Sequence, residues 1–195
     1  YSINSVTGCG GSRAGNTYTT AAITSACTVT ASFAVNPYSL TVTKSGTGTG
    51  TVTSSPLPLS GSVDGGTANF NYNTLVTLTA TATAGTSTFT SWSGCDSTSG
   101  NQCNVTMSVS KSVTATFTLN SYPVTPTAGA NGAISPSSIQ YVSHNATTSF
   151  TLSPDTGYHL VTPVGGSCGG TLNGSTYTTN PITAPCSVSA LFSIN

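Results

Sequence analysis

The chain has 195 residues, of which three are Lys or Arg and three are Asp or Glu, so the net charge is zero. Charged residues make up 3% of the chain, against roughly 25% in an average soluble domain. Arg13, Lys44 and Lys111 are too few and too scattered to neutralise phosphates, which excludes nucleic acid as a partner, and no apolar run nears the roughly 18 residues that would span a bilayer.

Roughly a third of the residues are Ser or Thr, yet the chain does not read as a disordered linker. Disorder goes with low hydrophobicity and high net charge, whereas 36% of these residues are hydrophobic. In chain order, TVTASF (28–33), LTVT (40–43), TVT (51–53), VTLTATA (76–82) and VTATF (113–117) alternate at period two, the pattern of half-buried strands. Thr is β-branched and suits a pleated surface, and strong helix formers are nearly absent, so the expected fold is all-β.

The strands recur. The stretch GCGGSRAGNTYTTAAITSACTVTASFAVN at 8–36 is matched by SCGGTLNGSTYTTNPITAPCSVSALFSIN at 167–195. Closing strands end on Phe33, Phe117 and Phe192, each followed three positions later by Asn36, Asn120 or Asn195. Tyr38 and Tyr122 then open two hairpin-like patterns, YSLTVTKSGTGTGTVTSSP and YPVTPTAGANGAISPSS. Gly46, Gly48, Gly50 and Asn131-Gly132 are read as supplying the positive φ angles of tight hairpin turns. A further strand and a turn at Gly85 or Gly157 lead to the first cysteine of each module. The expected organisation is the closing half of an incomplete repeat at 1–36 and complete repeats at 37–120 and 121–195, joined by short linkers into a semi-rigid rod. Either the chain is an excerpt of a longer array, or its extra closing half docks by adding strands to a neighbour's sheet edge. The first is preferred, because Asn195 also falls at a repeat boundary.

Six cysteines allow 15 pairings, but two fall in each module. The expected bridges are Cys9–Cys27, Cys95–Cys103 and Cys168–Cys186, which imply an oxidising compartment. Counting back from Phe117, Lys111 stands where Cys27 and Cys186 stand in their own modules, so the second repeat moves the partner cysteine to the preceding strand. The cysteines lack CxxC spacing and His144 and His159 lie in one module, so no metal site and no cofactor is expected.

The run YSLTVTKSGTGTGTVTSSP, then LVTLTATATAGTSTFTSWSGC, then QCNVTMSVSKSVTATF resembles the divergent internalin B-repeat modules of large bacterial secreted and surface proteins. The stretches around GCGGS and SCGGT resemble a sister variety found in tandem with it. Many relatives carry an extra cysteine pair after the first hairpin, and 56–70 here has none. The resemblance implies a small β-grasp-like or β-sandwich-like module of about five strands, an extracellular or cell-surface location, and no catalysis.

The residues agree that catalysis is absent. A serine nucleophile needs a base and an orienting group, and the candidates His144, His159 and Asp155 come without a GxSxG. His159, four residues after Asp155, reads as a strand residue after a turn. The three acids lie in three regions and do not form the carboxylate pair of a glycosidase, and Asp64-Gly65-Gly66 reads as a turn. Trp92, Tyr72, Tyr141 and Tyr177 are the rings available to stack on glycans, Trp92 being read first as a plug beside Cys95. A chain with so little repulsive charge, and with Thr-rich strands at its sheet edges, is suited to pack on itself as a filament, fibre or sheath. An adhesin stalk or carbohydrate-binding module is the alternative.

Overall fold

A computed structural model describes residues 1–195 and contains 22 strands and no helix. The first 36 residues hold β1 (Ser2–Thr7), β2 (Ser12–Ala14), β3 (Thr17–Thr19) and β4 (Thr30–Ala34). Antiparallel pairs β1–β4 and β2–β3 form two separate two-stranded sheets.

The second repeat comprises β5 (Pro37–Ser45), β6 (Gly50–Ser55), β7 (Ser60–Gly61), β8 (Thr67–Asn71), β9 (Leu75–Ala82), β10 (Ser87–Ser93), β11 (Ser97–Ser99), β12 (Gln102–Thr106) and β13 (Lys111–Leu119). They make a five-stranded sheet, β10-β13-β5-β8-β7, and a four-stranded sheet, β11-β12-β9-β6. Alternation buries one face of each: Leu40, Val42, Ala68, Phe70, Val113, Ala115 and Phe117 in the larger, and Val52, Val76, Leu78, Ala80 and Val105 in the smaller. Between the buried positions stand Thr and Ser, whose hydroxyls pair across strands, as in Thr41–Thr67. The first and last strands run parallel, since Ser39 meets Ser110 and Ser45 meets Thr116 at the same offset of 71.

The third repeat repeats the plan with β14 (Ser121–Ala128), β15 (Gly132–Ser135), β16 (Gln140–Ser143), β17 (Ser149–Pro154), β18 (Tyr158–Leu160), β19 (Gly170–Asn173), β20 (Thr176–Thr179), β21 (Cys186–Ala190) and β22 (Phe192–Ile194). Its sheets are β16-β14-β21, β15-β17-β20-β19 and the pair β18-β22. β14 and β21 are parallel, with Val124 opposite Cys186 and Ala128 opposite Ala190. Val124, Val142 and Val188 from one sheet and Ile134, Phe150, Leu152 and Tyr177 from another share a single core, so this repeat is a small sandwich.

The segments expected to be hairpins are arches instead. β5 and β6 belong to different sheets, as do β14 and β15. The glycines follow from this. Gly46 alone of its three has a positive φ, of 92°. Gly48 and Gly50 are needed for room: a Cβ would lie 2.6 Å from the Thr118 carbonyl carbon and 2.3 Å from the Phe117 ring. Gly132 faces the Phe192 ring in the same way, at 2.6 Å.

By contact density the chain divides into two compact units. One is Tyr1–Lys44, Val52–Ala80 and Trp92–Ala115; the other is Ser45–Thr51, Thr81–Ser91 and Thr116–Asn195. The second unit therefore takes in the β5–β6 arch and the β9–β10 turn of the second repeat together with all of the third.

Candidate interaction surface

The three expected bridges form. Cα atoms of Cys9 and Cys27, Cys95 and Cys103, and Cys168 and Cys186 lie 5.5, 5.6 and 5.0 Å apart, the separation a disulfide requires, and no cysteine is free. Where Lys111 replaces a cysteine, it makes a different crosslink: its Nζ lies 2.5 Å from Asp96 Oδ1, the residue after Cys95. Asp96 also accepts the Thr106 amide at 2.6 Å. The Lys111 ammonium, and after it the Thr106 amide, hold the Asp96 carboxyl below its ordinary range.

A second ion pair joins Lys44 Nζ to Asp64 Oδ1 at 2.8 Å, and that oxygen also accepts the Val52 amide at 3.0 Å. Lys44 again is the main cause that lowers the Asp64 pKa, outweighing burial. Four of the six charged residues are thus paired within the second repeat. Of the other two, Arg13 donates to the Ile3 carbonyl at 3.1 Å, and Asp155 caps the turn before β18 through its own backbone.

The edges of the sheets of three or more strands carry no charge, and the two-stranded sheets contain one charged residue, Arg13 on β2. Outer strands β10, β7, β11, β6, β16, β15 and β19 contain no Lys, Arg, Asp or Glu. Exposed apolar side chains lie on or beside several of them: Leu57 and Leu59 before β7, and Tyr141 on β16, which is 75% exposed.

The candidate stacking rings separate in character. Tyr141 stands free on its edge strand, and Tyr72 is half exposed at a turn, its ring 6.0 Å from Tyr38. Trp92 is half-buried, its indole donating to the Asn101 carbonyl at 2.9 Å, which pins it over the β11–β12 turn. Tyr177 is no stacking residue, correcting the expectation: it is 4% exposed among the core residues of the third repeat, and burial raises its pKa. The alternation of β20 puts Tyr177 inward with Thr179, a face that its spacing in TYTT did not distinguish from the outer one. His159 sits in β18 and contacts Asn195 Oδ1 at 3.2 Å rather than an acid.

Within the second unit a polar joint links successive repeats. The Asn120 amide donates to the Thr86 carbonyl at 2.8 Å, Asn120 Oδ1 accepts from Thr88 at 2.7 Å, and Tyr122 Oη donates to the Gly85 carbonyl at 2.6 Å. The His144 amide donates to the Asn120 carbonyl, and the His144 ring lies 6.0 Å from Tyr122. In the first unit Asn36, Tyr38 and Tyr72 repeat the last two contacts: the Tyr72 amide donates to the Asn36 carbonyl at 3.1 Å, and the two Tyr rings pair. Sequence reasoning placed Asn36 and Asn120 at repeat boundaries without finding what they bind.

The profile of the divergent InlB B-repeat domain matches residues 38–121 and 122–195. The chain belongs to the divergent InlB B-repeat family. No curated protein and no solved structure matches it. The two B-repeat matches begin on Tyr38 and Tyr122, the residues whose rings sit at the joints, so each match opens on its joint tyrosine. The family consists of repeat domains, which accords with an all-β chain of tandem modules stapled by disulfides.

Proposed function

We propose that this chain is a non-catalytic extracellular structural repeat protein that packs against copies of itself as an element of a filament, fibre or sheath. One observation carries the reading: the outer strands of the sheets of three or more strands bear no charge, and four of the six charged residues neutralise one another in ion pairs. Soluble domains ordinarily keep copies apart with net charge and blunt their sheet edges with Lys. Here hydroxyl-studded strands meet a neighbour with little electrostatic repulsion and little charge desolvation. Three disulfides fit an oxidising setting outside the cell. Electron microscopy of the concentrated chain, with sedimentation across a concentration series, tests the reading. Regular filaments or concentration-dependent assembly support it; a monomer at all concentrations overturns it.

The alternative, an adhesin stalk or glycan-binding module, has the exposed rings of Tyr141 and Tyr72 in its favour. Glycan arrays with Tyr141→Ala and Tyr72→Ala as controls test it.

A further inference from the structure

Each complete repeat lays one strand antiparallel beside its opening strand, β8 beside β5 and β16 beside β14. Tyr38 pairs with Phe70 and Ser39 with Asn69; Tyr122 pairs with Val142 and Pro123 with Tyr141. Asn69 and Tyr141 therefore hold the same position. The Tyr72 amide donates to the Asn36 carbonyl, and the His144 amide to the Asn120 carbonyl. By the alternation of an antiparallel ladder, the amide and carbonyl of Asn69 and of Tyr141 then point away from the opening strand.

In the second repeat that outward edge is covered. β7 lies along β8, the Asn69 carbonyl accepts the Leu59 amide at 2.8 Å, and the Asn69 side chain donates to Ser60 Oγ at 3.1 Å. The third repeat has no such strand. Only Ser137, Ser138 and Ile139 separate Pro136 from β16, whereas residues 57–66 separate Pro56 from β8. β16 therefore ends its sheet, with Ile139 and Tyr141 50% and 75% exposed while Val142 faces the core. Residues 121–154 contain no Lys, Arg, Asp or Glu, so no charge guards this edge.

We propose that β16 seats a second copy of this chain, whose own β16 lies antiparallel along it on a two-fold axis at Tyr141. The donors and acceptors of the edge select this occupant and this register. With Tyr141 opposite the partner's Tyr141, each amide reaches the other's carbonyl, and the Ser143 amide reaches the partner's Ile139 carbonyl on either side. An axis at Val142 would call on the Ser143 carbonyl, which already accepts the Ala146 amide at 2.9 Å. A neighbour's β7 serves less well: its inward edge is engaged on β8, and Pro58 has no amide to offer on the outward one. The two-fold pairing sets the two Tyr141 rings side by side and Ile139 beside Ser143, with no like charges opposed. A two-fold contact closes on itself, so it ties chains laterally in pairs and does not by itself extend a filament. Strands this short bury less than the roughly 1,200 Å² of a standard interface, so the contact alone is weak. The pairing rests on the reading that copies of this chain pack against one another, and it is one contact of that packing.

Amide hydrogen exchange of the intact, oxidised chain, dilute and at about 1 mM, tests the pairing, with sedimentation of the same samples. Exchange at the Tyr141 and Ser143 amides is expected to slow at least about fivefold in the concentrated sample. Tyr141→Pro removes an amide that points away from β14, a place where an edge strand tolerates proline, so the ladder within the chain is kept. It is expected to abolish the slowing at Ser143, whereas Tyr141→Phe, which keeps ring and amide, retains it. Larger species in sedimentation without slowed exchange at Tyr141 and Ser143 would overturn this contact and leave the wider packing reading standing. Slowing at Ser143 that survives Tyr141→Pro, or that Tyr141→Phe abolishes, would also overturn it. A chain that stays monomeric up to about 1 mM would overturn both.

Discussion

The phenolic hydroxyl of Tyr122 donates a 2.6 Å hydrogen bond to the carbonyl of Gly85, tying the first strand of the third repeat to the β9–β10 turn of the second. Asn120 supports it through Thr86 and Thr88. Tyr122→Phe removes the hydroxyl and leaves the ring on His144. The expected loss is about 0.5–1.5 kcal/mol, read as a lower midpoint in chemical denaturation, with faster exchange of the Asn120 and Thr88 amides. An unchanged midpoint and unchanged exchange would show that the joint does not couple the repeats.

Gly50 and Gly132 separate two uses of glycine. A Cβ at either meets a Phe ring within 2.6 Å, whereas at Gly85, where φ is 75°, it meets nothing within 4 Å. Gly50→Ala and Gly132→Ala are expected to cost about 1–3 kcal/mol through overpacking. Gly85→Ala should cost about 1 kcal/mol through backbone strain alone. Thermal unfolding of the three variants distinguishes the mechanisms, and equal losses at all three sites would contradict the account of the arch.

The bridges differ in span: Cys168 and Cys186 are 18 residues apart, Cys95 and Cys103 only 8. By loop entropy the first contributes about 3.2 kcal/mol and the second about 2.5 kcal/mol. Replacing each pair by Ala should therefore lower the third repeat more than the second. Denaturation of the two double variants, compared with the parent chain, measures the difference.

Acid should act on the second repeat. The Asp64 and Asp96 carboxyls are held below their ordinary value of 3.8, chiefly by Lys44 and Lys111. A depressed folded pKa means that the stabilisation is present above the unfolded value and is lost as pH falls through the folded one. Stability of the second repeat should therefore decline below about pH 4. Both pairs are partly exposed, so the Asp64 effect stays below about 1 kcal/mol. Denaturation midpoints between about pH 6 and about pH 2 check this, and Asp64→Asn with Asp96→Asn should flatten the profile.

Much of the candidate surface was legible in particular residues. Lys111 at a cysteine position announced a moved bridge, because closing strands of fixed length align from their terminal Phe. Asp96 as the lysine's new partner was not legible: the ion pair depends on two strands that fold side by side. Tyr177 misled for the same reason, since either face of a TYTT strand can turn inward until a second sheet arrives.

The sequence by itself determined the all-β class, the repeat, the three bridges and the near absence of charge, because period-two alternation, matched spacings and composition are local properties of the chain. Only the tertiary structure decided that the opening strands part into two sheets, that Gly48 and Gly50 serve close approach, and that Ile23 is open where Ile182 is closed. Each of these depends on which surface comes to lie against a residue. The identical Ile at the two positions carries no record of whether an opening half covers it.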